Sequence, residues 1–320
     1  MKVTLKTGES FECAESSMLD AALVAGLALP YSCRRGDCDS CACTLLEGQA
    51  EQRDQLKMPG ELILSCEARP LTDCRIDAEH LPELADIKPK LMPAKISELS
   101  IRTDVAVLKL RTAPGSSLPF LEGQYLDIVY AGLRRSYSIA STAHDALIEL
   151  HIKRVDQGLM SAKVFDEFKL NTLLRINGPF GSFFVRDSQK PLIFLATGTG
   201  FAPVQAMVAK LIADHSKRDI YIYWGNRYRA DFYTELPLSW AAEHPNIHFR
   251  AVISREADTE LGQNTARYVQ DAVIEDGLDV AAFDVYACGS TDMIHSAKNA
   301  FVQRGLNEGS FYSDAFIATS

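Results

Sequence analysis

Nothing near the start of this chain resembles the apolar h-region of a secretory signal peptide; Met1-Lys2-Val3-Thr4-Leu5-Lys6 alternates like a strand. No long uncharged run lacks backbone breakers either. The longest, Pro191 to Ala209, carries Gly198, Gly200 and Pro203 at its centre. It therefore reads as strand, loop and helix rather than a membrane span. Repeats and low-complexity tracts are missing. So is an excess of positive charge: 33 Lys and Arg stand against 42 Asp and Glu, net −9. Residues 1–88 hold nine Lys and Arg against sixteen Asp and Glu, net −7. Nucleic-acid phosphates would repel such a surface, so neither nucleic acid nor membrane is an expected partner. The acidity suits either steering of a basic protein partner or plain solubility. With 320 residues, two or three domains are expected.

Cysteine is the residue the chain does not lack. Eight of them without a signal peptide point to a reducing cytoplasm and to thiolate ligands. Cys33, Cys38 and Cys41 read C-x4-C-x2-C, and Cys66 follows Ile63-Leu64-Ser65. That is the plant-type spacing of a 2Fe–2S cluster, in which each iron takes two thiolates. A zinc ribbon would favour two C-x2-C pairs, and only Cys38 and Cys41 form one. A disulfide framework suits small secreted domains. Cys43 and Cys74 are read as packing residues. A cluster carries single electrons, so this segment implies electron transfer.

Along the chain, Val3–Leu5 and Ser10–Cys13 suggest a hairpin. A helix opens at Ser17 and ends near Gly26, and a strand is expected over Ala42–Leu46. His80 to Pro93, with Pro82, Pro89 and Pro93, reads as a linker. Short alternating strands follow at Val105–Leu110, Tyr125–Val129, Tyr137–Ile139, Ile148–Ile152 and Leu173–Ile176, which suggests an antiparallel β-barrel. From Pro191, strands at Leu192–Leu195, Ile220–Tyr223, Ile247–Ala251 and Val285–Ala287 alternate with amphipathic helices, the pattern of a parallel α/β sheet. The expected domains are 1–88, 89–188 and 189–320.

Two groups of motifs carry further chemistry. Arg135-Ser136-Tyr137-Ser138 could grip a phosphate, stack on a flat ring and hydrogen-bond its edge. His151-Ile152-Lys153 ends the next strand, and Gly158-Leu159-Met160-Ser161 opens a helix suited to an anion. Together they describe a flavin dinucleotide lying across a barrel. In the α/β region, Leu192–Leu195 runs into Ala196-Thr197-Gly198-Thr199-Gly200-Phe201-Ala202-Pro203, where glycines let backbone approach a phosphate. Cys288-Gly289-Ser290 sits at the carboxyl end of a late strand, the edge where open α/β sheets place ligands.

R-x-Y-S, G-x-x-S, G-T-G-x-A-P and the late C-G-S resemble the ferredoxin–NADP reductase family. With the cluster segment in front, the whole chain is similar to iron–sulfur flavoprotein reductases. Tyr223-Trp224-Gly225, Tyr286-Ala287-Cys288-Gly289-Ser290 and Phe311-Tyr312-Ser313-Asp314-Ala315-Phe316 resemble most the CDP-6-deoxy-Δ3,4-glucoseen reductases, and next the reductases of ring-hydroxylating dioxygenases. The resemblance implies a multidomain α+β and α/β protein: a β-grasp 2Fe–2S ferredoxin domain, an FAD-binding β-barrel and an NAD(P)H-binding α/β domain.

It also implies roles. Arg135 would hold the FAD pyrophosphate, Tyr137 would stack on the isoalloxazine and Ser138 would face flavin N5. Ser136, His151, Ile152, Lys153, Gly158, Met160 and Ser161 would complete the FAD site. Gly198, Thr199, Gly200, Pro203, Arg227, Gly289 and Ser290 would border the nicotinamide dinucleotide. Cys288 would lie near its reacting carbon, and Phe316 would cover the flavin. Electrons would pass from NADH, with NADPH not excluded, through FAD and the cluster to a separate acceptor protein. The acceptor would be a sugar dehydratase or an oxygenase component; a redox-sensing module without turnover is the remote alternative. Two positions depart from the family pattern. Asp39 stands where glycine is usual after Cys38, which suits a left-handed backbone. Thr197 also replaces a usual glycine and is expected to crowd the nucleotide slightly.

Overall fold

The structure, a computed structural model, describes residues 1–256 and 267–316. The chain divides into two compact units. One comprises residues 1–88 with 180–183, and the other residues 89–179 with 184–316.

In the first unit, five strands order as Ser10–Glu12, Lys2–Leu5, Cys74–Asp77, Ala42–Glu47 and Leu62–Leu64. The two central pairings differ: Lys2–Leu5 runs parallel to Cys74–Asp77, which runs antiparallel to Ala42–Glu47. Helix Met18–Val24 buries Met18, Leu19, Ala21 and Ala22, and its start is capped by Ser17, whose hydroxyl accepts the Asp20 N–H at 3.1 Å. Alternation in Ala42–Glu47 turns Cys43 and Leu45 into the core. Cys74 is buried as well.

The second unit contains two sheets. Six antiparallel strands order as Leu133–Ser138, Tyr125–Tyr130, Leu173–Phe180, Lys90–Arg102, Val105–Thr112 and Ile148–Lys153. A bridge between Ile139 and Leu150 joins the outermost pair, closing the barrel around Ile96, Leu108, Leu126, Ile128 and Leu150. Part of the segment read as a linker belongs to this barrel. Lys90–Arg102 is its longest strand and runs through Pro93, which stands opposite Arg175. The three prolines masked a pattern that the strand's pairing on both sides overrides.

The other sheet is parallel, ordered Ile247–Ile253, Ile220–Asn226, Leu192–Thr197, Asp284–Ser290 and Phe311–Phe316. The last of these is a strand that the sequence reading did not assign. From Leu192–Thr197 the chain winds outward through two strands, then crosses over to the other side. The carboxyl ends of Leu192–Thr197 and Asp284–Ser290 therefore flank the topological switch point, where a crevice forms.

Candidate functional site

The cluster loop brings four free thiols together in pairs. The Cys41 and Cys66 sulfurs lie 3.2 Å apart, and Cys33 N–H donates to Cys38 Sγ at 3.4 Å. Backbone N–H groups of Arg35 and Asp37 also reach Cys33 Sγ, at 3.4 and 3.5 Å. The loop achieves this with left-handed residues at Arg34 (φ 56°), Gly36 (φ 72°) and Asp39 (φ 55°). Aspartate at position 39 thus meets the conformation expected there. Shared hydrogen bonds lower Cys33 and Cys66 while raising Cys38 and Cys41, with burial opposing the first shifts and reinforcing the second. Among the described residues no single-ion site of three or more ligands occurs. Two thiol pairs with N–H donors to sulfur fit instead a dinuclear centre whose irons each take two thiolates. Burial pushes Cys43 up to about 12, so it stays a neutral core thiol.

On the barrel, alternation along Leu133–Ser138 leaves Arg135 and Tyr137 half-buried on one face. Their neighbours serve the other face: Ser136 Oγ donates to Asp127 Oδ1, and Arg134 Nε to Asp127 Oδ2, both at 2.6 Å. The hydroxyl of Ser136 is therefore engaged away from Arg135 and Tyr137. Among the described residues no carboxylate pairs with Arg135, whose guanidinium donates to the Arg134 carbonyl at 2.8 Å. A half-buried, unpaired guanidinium beside a half-buried ring fits a phosphate-bearing flavin.

Gly158 precedes helix Leu159–Ala162, in which Met160 and Ser161 are buried. A Cβ at Gly158 would meet Ser161 Oγ at 2.6 Å. Ser161 Oγ already braces this turn against Val155 and Gly158 carbonyls, at 3.1 and 3.0 Å. What the turn offers a ligand is backbone N–H groups of the first helical residues. Ile152 is buried, and Lys153 pairs with Asp104 at 3.2 Å. The His151 side chain is committed elsewhere: Nδ1 lies 2.9 Å from Tyr233 OH, and Nε2 lies 2.8 Å from Glu149 Oε1.

At the switch point, Gly198 has φ +54° and open space where a Cβ would be. Gly200 is pressed so tightly on the next strand that a Cβ would lie 2.2 Å from the Cys288 carbonyl oxygen. Thr199 lies between them in a 3-10 turn, and Pro203 sits in the first turn of helix Phe201–Ala213. Thr197 turns its side chain toward Gly289 and Ser290. Its Oγ1 accepts the Ser290 N–H at 3.3 Å, filling the gap that Gly289 leaves (φ +148°). Ser290 also caps helix Thr291–Val302, accepting the Met293 N–H at 3.3 Å. Two helix N-termini thus open beside the crevice, with positive dipole ends suited to phosphate. Arg227 is exposed beyond strand Ile220–Asn226, and Phe316 is exposed at the end of its strand opposite Ser290.

The barrel and crevice meet at residues the sequence reading passed over. Asp314, 4% exposed, stands opposite Cys288 and accepts from Ser138 Oγ at 3.5 Å. Burial and this carboxylate push the Cys288 thiol well up, keeping it neutral. The carboxyl in the D-A-F stretch was the available signal, but only strand pairing places it.

Three family models match: 2Fe-2S iron-sulfur cluster binding domain over 3–71, Oxidoreductase FAD-binding domain over 94–185 and Oxidoreductase NAD-binding domain over 194–299. The chain is 42% identical to the CDP-6-deoxy-L-threo-D-glycero-4-hexulose-3-dehydrase reductase of Yersinia pestis, over 94% of this chain and 93% of that protein. The chain belongs to the iron–sulfur flavoprotein reductases. Another reductase, component 2 of terephthalate 1,2-dioxygenase from Comamonas sp., is 34% identical over 96% of this chain and 94% of its own. The crystal structure of the Amycolatopsis cytochrome P450 reductase GcoB superposes with a TM-score of 0.76 at 28% identity, covering 99% of this chain and 98% of that one. A ferredoxin-type 2Fe–2S domain, an FAD-binding barrel and a parallel NAD-binding sheet make this reductase an NAD(P)H-dependent oxidoreductase. No helix among its described residues is long and apolar enough to cross a membrane.

Proposed function

We propose that this reductase carries electrons from NADH to a separate CDP-4-keto-6-deoxyglucose-3-dehydrase in the cytoplasm. The single observation that carries the partner assignment is the 42% identity to a dehydrase reductase over nearly the whole chain, against 34% for the dioxygenase component. An oxygenase component as acceptor is the second reading, favoured by the latter relative. Mixing the anaerobically NADH-reduced protein with a purified dehydrase and its substrate and, separately, with a purified oxygenase, its substrate and dioxygen decides between them. Turnover by the oxygenase alone would overturn the dehydrase assignment.

Three domains divide the work in this reading: residues 1–88, 89–188 and 189–320. A flavin held there would supply the link between a two-electron hydride donor and a one-electron cluster. The chain supplies alignment. Arg135 holds the pyrophosphate, Tyr137 lies against the flavin ring, and the backbone at Ile152, Lys153, Gly158, Met160 and Ser161 completes the grip. Gly198, Thr199, Gly200, Pro203, Gly289 and Ser290 cradle the dinucleotide. Ser138 and Cys288, both linked to Asp314, flank the place where hydride moves, and Phe316 covers it. Cys33, Cys38, Cys41 and Cys66 would hold the cluster's irons through their thiolates. NADH is the preferred donor; Arg227 is exposed and would be the first candidate for a 2′-phosphate if kcat/KM instead favoured NADPH.

Arg135→Ala should loosen FAD more than Tyr137→Ala does. Charge-assisted hydrogen bonds contribute roughly 1.5–3 kcal/mol each, about a tenfold to hundredfold loss in affinity. Retention of full FAD by Arg135→Ala through gel filtration would remove the pyrophosphate role.

A further inference from the structure

A buried polar chain crosses the seam between the flavin barrel and the nucleotide sheet. Its hub is Glu149, on barrel strand Ile148–Lys153, with a side chain 18% exposed beside His151 at 2%. Glu149 Oε1 accepts from His151 Nε2 at 2.8 Å and from Gln205 Nε2 at 2.9 Å. One arm continues from His151 Nδ1 to the Tyr233 hydroxyl at 2.9 Å. With Tyr233 donating to Nδ1 and Nε2–H donating to the carboxylate, both ring nitrogens of His151 have partners.

One arm ends on the nucleotide turn and the other on the helix that follows it. Tyr233 packs edge-on against Trp224 at 5.1 Å, and the Trp224 indole N–H donates to the Gly198 carbonyl at 2.9 Å. Gln205 lies in helix Phe201–Ala213, which starts directly after that turn. Its amide also donates to the Ala140 carbonyl at 3.2 Å, two residues beyond Ser138 of the flavin motif. A hub reaching both Gly198 and Ala140 spans the two halves that a hydride must cross.

We propose that Glu149, His151, Tyr233 and Gln205 are positioning residues that lock the nucleotide turn in register with the flavin strand. The assignment rests on the reductase reading for its catalytic consequence, though the lock itself does not. A buried network satisfied at every member acts as a unit, since an unpaired member inside is costly. Losing one member should therefore let the turn shift, and small misplacements of reacting groups cost up to about a hundredfold in rate.

The test uses the full chain carrying FAD and its cluster. Tyr233→Phe keeps the ring against Trp224 and removes only the hydroxyl; Glu149→Gln and Gln205→Leu alter the hub and the second arm. Each is expected to slow NADH-driven flavin bleaching between about tenfold and about a hundredfold. FAD content, NADH KM and electron delivery after photochemical reduction should remain at parental levels. Amide hydrogen exchange over 198–205 should rise without any nucleotide present, and the Tyr233→Phe, Glu149→Gln double variant should lose less than the two single losses combined. Parental bleaching rates and exchange in all three variants would overturn the proposal, as would additive losses. FAD loss in Tyr233→Phe would overturn it too, making the network a cofactor support. If the parent protein itself failed to bleach with NADH, the reductase reading would fall, and amide exchange over 198–205 would still judge the lock.

Discussion

Cys38→Ser is expected to strip the protein of its cluster absorbance while leaving FAD in place. Serine oxygen is a harder and poorer donor to iron than thiolate sulfur. Cys38 is 5% exposed and receives the Cys33 N–H, so neither water nor another side chain readily replaces its sulfur. Even outer-shell partners of metal ligands cost roughly 10–100-fold in affinity when removed, and a direct ligand should cost more. The barrel and the nucleotide sheet have their own cores, around Leu108 and Ile128 in one and Leu195 and Val285 in the other. NADH-to-ferricyanide activity should therefore persist while cytochrome c reduction is lost. Cys43→Ala is the control: its thiol faces the same core as Leu45, so cluster absorbance and both activities should stay. Loss of the cluster in Cys43→Ala and not in Cys38→Ser would reverse the ligand assignment.

The second large effect is expected at Gly200→Ala. The new Cβ would lie 2.2 Å from the carbonyl oxygen and 2.6 Å from the carbonyl carbon of Cys288, with the Gly289 nitrogen at 3.0 Å. All three are backbone atoms of a buried central strand, so the helix following the turn must move instead of a flexible side chain. Overpacking of this kind costs about 1–3 kcal/mol of stability. The displacement falls on the crevice itself, so NADH-driven flavin bleaching should drop about a hundredfold with FAD retained. Gly198→Ala separates space from conformation, since its Cβ meets nothing within 4 Å but must adopt φ +54°. Left-handed alanine costs roughly 1–2 kcal/mol, so this variant should lose stability with a smaller loss of rate. Stopped-flow bleaching and thermal unfolding measure both. Parental bleaching by Gly200→Ala would show that the Cys288 strand and the nucleotide turn are not closely coupled.

These contacts also explain what the sequence could and could not reveal. The 2Fe–2S domain was legible because the proposed ligation by Cys33, Cys38, Cys41 and Cys66 fixes a spacing within one loop and one nearby strand. The barrel and the parallel sheet were legible because alternation and strand–helix rhythm are local. Lys90–Arg102 was missed because Pro82, Pro89 and Pro93 resemble a linker, and pairing with two partners outweighs that local signal. Phe311–Phe316 was missed as a strand because its place depends on Asp284–Ser290 alongside. Asp314 reaches Ser138 across 176 positions and Tyr233 reaches His151 across 82, separations that no spacing rule covers. The contact of the Thr197 side chain with Gly289 becomes visible only once two strands are adjacent.

The most direct measurement is anaerobic rapid mixing of the intact protein with NADH, following flavin absorbance and the cluster's paramagnetic signal together. Flavin bleaching should come first, and the reduced-cluster signal should follow at a rate that Cys38→Ser abolishes and Gly200→Ala delays. A cluster signal that rises with the flavin still oxidised, or one that never rises although the flavin bleaches, would contradict the route from nucleotide through flavin to iron–sulfur centre.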